Sequence, residues 1–197
     1  MKHADNTLKN HFRPDFSCYH LVAYLPGEKV YRKCTVQGAN DSSAWARGQG
    51  WALYGFTMMY RETKNPVYLK QAEGIAKLIM HYKNTPNDKI PYWDFNAPNI
   101  PNEERDASAA AVYASALLEL CRYSPANREA YFSYAEQILK SLSSAEYTAK
   151  LGTNNHFILK HSVGNKPAHS EIETPLVYAD YYYLEALLRY NSFFEKH

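Results

Sequence analysis

The sequence has little of what marks membrane, metal or nucleic-acid proteins. No apolar run approaches the roughly 18 residues that a membrane span needs, so no membrane partner is expected. Basic and acidic residues nearly cancel, 22 against 20 for a formal charge of +2, and the basic ones form no block. The long-range field that draws a protein to nucleic acid is therefore missing. Cysteine is scarce, and Cys18, Cys34 and Cys121 have neither metal-ligand spacing nor the spacing of a redox pair. Cys18 and Cys34 lie equally far from Pro26. A hairpin centred there would set them face to face, as two buried free thiols or, less simply, as a disulfide. No apolar leader follows Met1, because Lys2, His3, Asp5, Asn6 and Lys9 interrupt it; this gives an expectation of a cytoplasmic chain or an internal start. A fixed repeat of about 30 to 45 residues is also absent, which weighs against a solenoid.

What remains is an ordinary globular composition, with 46% hydrophobic and 21% charged residues in 197. That length can bury a core, as one domain or as a piece of a larger one. Aromatic residues reach 15%, with 18 tyrosines, a content that suits thick helical cores and also sugar-binding clefts. Residues 3–12 read as the tail of a helix, and residues 13–36 as one strand-like hairpin turning at Pro26 and Gly27. Apolar residues then recur at three and four spacing through 44–62 and 66–82, with Asn65 and Pro66 between the two helices. Pro86, Pro91, Pro98 and Pro101 turn 84–105 into an ordered loop. Asp106 is placed to cap a helix over 107–123, whose alanines allow close approach. Ser124 and Pro125 open a further helix to about residue 143. After a less regular stretch at 153–169, a last helix is expected over 174–194. Paired helices with long loops after alternate ones make an all-α fold of helical hairpins: a bundle, a solenoid or an α/α barrel. In a barrel the long loops collect at one mouth, where function usually sits.

The stretch that carries most chemistry is Gln37-Gly38-Ala39-Asn40-Asp41-Ser42-Ser43-Ala44-Trp45-Ala46-Arg47-Gly48-Gln49-Gly50-Trp51. Asp41, Ser42 and Ser43 are all suitable caps, which would put Trp45 and Arg47 near the positive end of a helix dipole. A guanidinium beside exposed helix amides suits a carboxylate, and an indole beside it suits a sugar face. The alternative is a capped core helix with Arg47 paired to a structural acid. Gly48 and Gly50 each cost about 1 kcal/mol relative to Ala within a helix, so close packing must offset them.

This box resembles that of the unsaturated glucuronyl hydrolases, glycoside hydrolase family 88. The resemblance continues through Ile90-Pro91-Tyr92-Trp93-Asp94-Phe95, Arg105-Asp106-Ala107-Ser108-Ala109-Ala110-Ala111 and Tyr178-Ala179-Asp180-Tyr181-Tyr182-Tyr183-Leu184-Glu185-Ala186-Leu187-Leu188-Arg189. Arg13-Pro14-Asp15 and Tyr19-His20-Leu21-Val22 resemble the family's hairpin, so the similarity covers essentially the whole chain. It implies part of an α/α six-hairpin barrel with one β-hairpin near the N-terminus. It also implies an enzyme that removes 4,5-unsaturated uronic acid from the non-reducing end of lyase-derived oligosaccharides. In that chemistry an aspartate protonates a vinyl ether and assists water attack, with no metal or organic cofactor. Carried over by residue, His20, Gln37, Trp45 and Arg47 become substrate-binding: Arg47 holds a carboxylate, Gln37 bonds hydroxyls, Trp45 stacks, and His20 lies near the reacting ring.

The resemblance also implies an omission. The family's two catalytic aspartates precede the hairpin, so residues 1–197 are expected to form a single domain, the C-terminal part of the barrel, inactive or very weak alone. Among the acids present, Asp94, Asp106, Asp180 and Glu185 each have a structural role to hand. Three readings follow: a glycoside hydrolase fragment, a non-catalytic module for acidic oligosaccharides, or a structural remnant that self-associates through exposed barrel faces. An unsaturated rhamnogalacturonyl hydrolase is the alternative enzyme.

Overall fold

The protein is described by a computed structural model covering residues 1–27 and 29–194. A short first helix, α1 (Lys2–Asn10), leads into the antiparallel hairpin β1 (Leu21–Leu25) and β2 (Lys29–Cys34). Five longer helices follow: α2 (Ala46–Thr63), α3 (Pro66–His81), α4 (Ala107–Leu120), α5 (Arg128–Leu142) and α6 (Val177–Asn191). The fold is all-α with one small sheet, as the sequence predicts.

Local chemistry explains the boundaries. The Asn65 side chain accepts from the Val67 amide, and Pro66 occupies the first turn of α3, where no amide proton is needed. Asp106 caps α4, accepting from the amides of Ser108 and Ala109. Lys64 closes α2 in the left-handed region (φ 56°), and Gly27 turns the hairpin at φ 81°.

Helix packing sorts the elements into two rows. α4 contacts α2 on one side and α6 on the other, while α3 backs α2 and α5 backs α4. The inner row is thus α2, α4, α6, with the outer helices behind. Every residue of α4 is buried, because its alanines let neighbours approach from all sides. The core runs through Leu53, Ile75, Leu117, Leu118 and Ile138. The long loops meet at the N-terminal ends of the inner helices: Trp45 pairs with Asp94, Tyr92 with Arg105 and Ser162 with Thr174.

Three expectations are corrected. Cys34 pairs with Leu21, not Cys18, because β1 begins at Leu21 and a register shift falls between Ala23 and Tyr24. Cys18 is buried and bridges to Phe12, whereas Cys34 is only half-buried. Secondly, α2 begins at Ala46 with Trp45 at the cap position and no side-chain cap bond. Ser43 turns to Asp94 instead (2.7 Å), and Asp41 accepts from the Thr35 amide. Thirdly, α6 starts at Val177 and ends at Asn191, and a short 3-10 turn, Pro125–Asn127, precedes α5.

Candidate active site

A cleft of about 590 Å³ opens between α1, the segments on either side of the β-hairpin, and α2 from Gly48 to Met59. His20, Gln37 and Trp45 line it, as do Tyr19 from the hairpin's approach and Trp51 from α2. No carboxylate stands among the described residues that line it.

His20 is oriented by main chain. Its Nδ1 accepts from the amides of Val36 (3.0 Å) and Gln37 (3.1 Å), with the Thr35 hydroxyl 3.1 Å away. Two N–H groups pointing at Nδ1 require a lone pair there, so the neutral ring carries its proton on Nε2. Burial, and secondly the charge of Arg47, lower the His20 pKa and hold the ring neutral. The imidazole rests on the Trp45 indole, with centroids 4.5 Å apart.

The residue after β2's exit turn that faces the cleft is Gln37. Its Nε2 donates to the Gly164 carbonyl (2.8 Å), leaving Oε1 as an acceptor. The loop carrying Gly164 approaches closely: a Cβ on that residue would collide with the Glu171 side chain.

Arg47 lies beneath this surface rather than on it. It is 2% exposed, and its guanidinium donates to Asp106 (2.7 Å), the Ser108 hydroxyl (3.1 Å), the Val163 carbonyl (2.5 Å) and the Gly164 carbonyl (2.8 Å). The carboxylate it holds is internal, that of Asp106, which is itself fully buried. The guanidinium carbon also lies 4.6 Å from the Trp45 ring centroid. Of the four predicted residues, three therefore share the cleft wall and the fourth braces it from behind.

The other acids are also committed. Asp94 accepts from the amides of Ala39 and Asn96 and from Ser43. Asp180 accepts from the amides of Ile158 and Leu159. Arg189 pairs with Glu185 (3.4 Å) and Glu119 (2.8 Å). Among the described residues no group of three His, Cys, Asp or Glu side chains converges as metal ligands would. Trp51 was not singled out by sequence reasoning. It is half-buried in the cleft, edge-on to Tyr182 (5.2 Å) and Tyr178 (6.1 Å). Its place one helical turn beyond Arg47 is the signal that could have found it.

Two rows of helical hairpins, with the long loops collected at one end of the inner row, define a segment of an α/α barrel. No family profile matches the chain. An unsaturated glucuronyl hydrolase of Formosa agariphila is 50% identical over 190 residues, which are 96% of this chain and 47% of that protein. The crystal structure of an unsaturated glucuronyl hydrolase specific for heparin superposes with a TM-score of 0.95 at 55% identity, covering 97% of this chain and 52% of that one. A variant of the Streptococcus agalactiae unsaturated glucuronyl hydrolase, in complex with dGlcA-GalNAc6S, superposes at 0.79 with 29% identity, covering 92% of this chain and 48% of that one. The chain belongs to the unsaturated glucuronyl hydrolase family and spans about half the length of the relatives it matches.

Proposed function

We propose that this chain supplies one wall of the sugar cleft of an unsaturated glucuronyl hydrolase, acting on oligosaccharides that end in a 4,5-unsaturated uronic acid. On this reading residues 1–197 are a single domain, the C-terminal part of the barrel. The observation that carries the proposal is the cleft wall itself. Trp45 and Trp51 offer aromatic surface, His20 offers an Nε2–H donor held by two backbone amides, and Gln37 offers an acceptor. Sugars need that combination of flat apolar faces with fixed polar groups.

The wall binds and orients, and the proton donor stands elsewhere. Hydration of a vinyl ether needs an acid that reaches the double bond, whereas Asp94, Asp106 and Asp180 are tied to backbone amides and, for Asp106, to Arg47. The purified chain is therefore expected to bind an unsaturated disaccharide without consuming its double bond, followed by ultraviolet absorbance. Turnover by this chain unaided would overturn the assignment of its acids.

Self-association is a second property of the chain taken by itself. Val177, Tyr181, Leu184 and Leu188 recur along α6 at helical spacing and are exposed by 69, 58, 47 and 73%. A stripe of that kind is normally covered, and a second copy would cover it in solution.

A further inference from the structure

Cys18 enters the hairpin two residues ahead of His20. It pairs with Phe12 in an isolated antiparallel bridge whose two bonds belong to its neighbours: the Arg13 amide donates to the Ser17 carbonyl (2.8 Å), and the Tyr19 amide to the His11 carbonyl (2.8 Å). In such a pair the amide and carbonyl of the middle residue face away from the partner, toward the place a further strand would take. The Gln49 side chain of α2 occupies that place. Its Oε1 accepts from the Cys18 amide (2.8 Å), and its Nε2 donates to the Cys18 carbonyl (3.4 Å) and to the Trp45 carbonyl (3.2 Å).

One carboxamide, 1% exposed, thus joins the chain entering His20 to the residue whose indole His20 rests on. The position asks for an acceptor at one atom and a donor at the other, which a glutamine side chain supplies and a carboxylate or an apolar chain does not. Arg13 also donates to the Cys18 carbonyl (3.2 Å), but a guanidinium offers nothing to the Cys18 amide, itself a donor. The exit side of the hairpin, through the amides of Val36 and Gln37, settles which His20 nitrogen carries the proton. Gln49 does not itself line the cleft.

We propose that Gln49 is a positioning residue of the sugar cleft. It acts through His20, holding the imidazole against the Trp45 indole so that the Nε2–H is presented to the ligand. The proposal rests on reading the cleft as a site for unsaturated uronides. Side chains that grip a sugar work only when a surrounding layer fixes their aim, and Gln49 fixes the entry side of His20 as the two amides fix the exit side.

The test combines nuclear magnetic resonance and calorimetry on the purified chain at neutral pH. Carbon-bound protons of a ring stacked on an indole move upfield, so those of native His20 should stand upfield of a free histidine's. Gln49→Met, of similar volume, should return them toward the free position and weaken binding of an unsaturated disaccharide about tenfold, the worth of one well-placed hydrogen bond. Should this variant not fold, Gln49→Asn is read instead; its carboxamide is one carbon short of joining Cys18 to Trp45 and should move both readouts the same way. Ile138→Val loosens the buried core on α5 and should lower stability while leaving the His20 protons and the affinity as they were. Native His20 protons at the free position, no displacement in Gln49→Met, or an equal one in Ile138→Val would reduce Gln49 to an ordinary core residue. Displaced protons with native affinity would remove its part in binding. If the native chain binds no unsaturated disaccharide, it is the cleft reading that fails, and the positioning role falls with it even where the protons move.

Discussion

The imidazole of His20 leans on the indole of Trp45, 4.5 Å between ring centroids, while its Nδ1 receives the amides of Val36 and Gln37. Protonating Nδ1 would cost both of those bonds, so this ring can neither rotate freely nor charge cheaply.

A pH dependence of stability follows. The His20 pKa lies below its ordinary 6.5 in the folded chain, through burial first and Arg47 second, and His11 is lowered in the same direction. Between the folded and unfolded values the unfolded chain binds more protons, so stability is full above about pH 6.5 and falls as pH drops through the folded values. Thermal unfolding followed at stepped pH should give that slope. His20→Asn, whose Oδ1 can accept the same amides, should flatten it; an unchanged slope would remove His20 as its source.

Arg47 and Asp106 are a buried pair, and removing one partner strands the other. Arg47→Ala is expected to cost about 3–5 kcal/mol in denaturant unfolding. Arg47→Lys should recover little, because a single ammonium cannot reproduce donation to Asp106, Val163 and Gly164 together. A variant as stable as the parent would contradict the bracing role.

At Gly48 a Cβ would sit 2.8 Å from the Trp45 ring. Gly48→Ala gains roughly 1 kcal/mol of helix propensity but must push the indole aside. Sugar binding should weaken several-fold with stability held or raised, and tryptophan emission should shift. Equal affinity would mean that the indole face is not used.

The stripe on α6 predicts association that depends on concentration. Leu188→Lys should move the chain toward monomer in sedimentation velocity, since charge on an apolar contact opposes docking. A parent chain that is already monomeric at high concentration would remove the second-copy reading.

Much of this architecture was legible in sequence. The Asn65-Pro66 boundary and the Asp106 cap are local chemistry, and the structure has both. The register of the hairpin was not legible, because one irregularity between Ala23 and Tyr24 moved Cys34 opposite Leu21. The start of α2 was missed because Ser43 and Asp41 spend their oxygens on Asp94 and Thr35, not on helix amides. Whether Arg47 would find an internal or an external carboxylate depended on Asp106, far away in the chain and adjacent only after α2 and α4 pack. His20 and Gln37 came from resemblance, Trp45 already from the chemistry of the helix-start box, and Trp51 was within reach of a helical-face argument.

The carbonyl of Gly164 accepts from both Gln37 and Arg47. One backbone oxygen therefore ties the exit of the hairpin, the start of α2 and the long final loop into a single rivet. A shift of this one peptide would re-aim two side chains on two elements together.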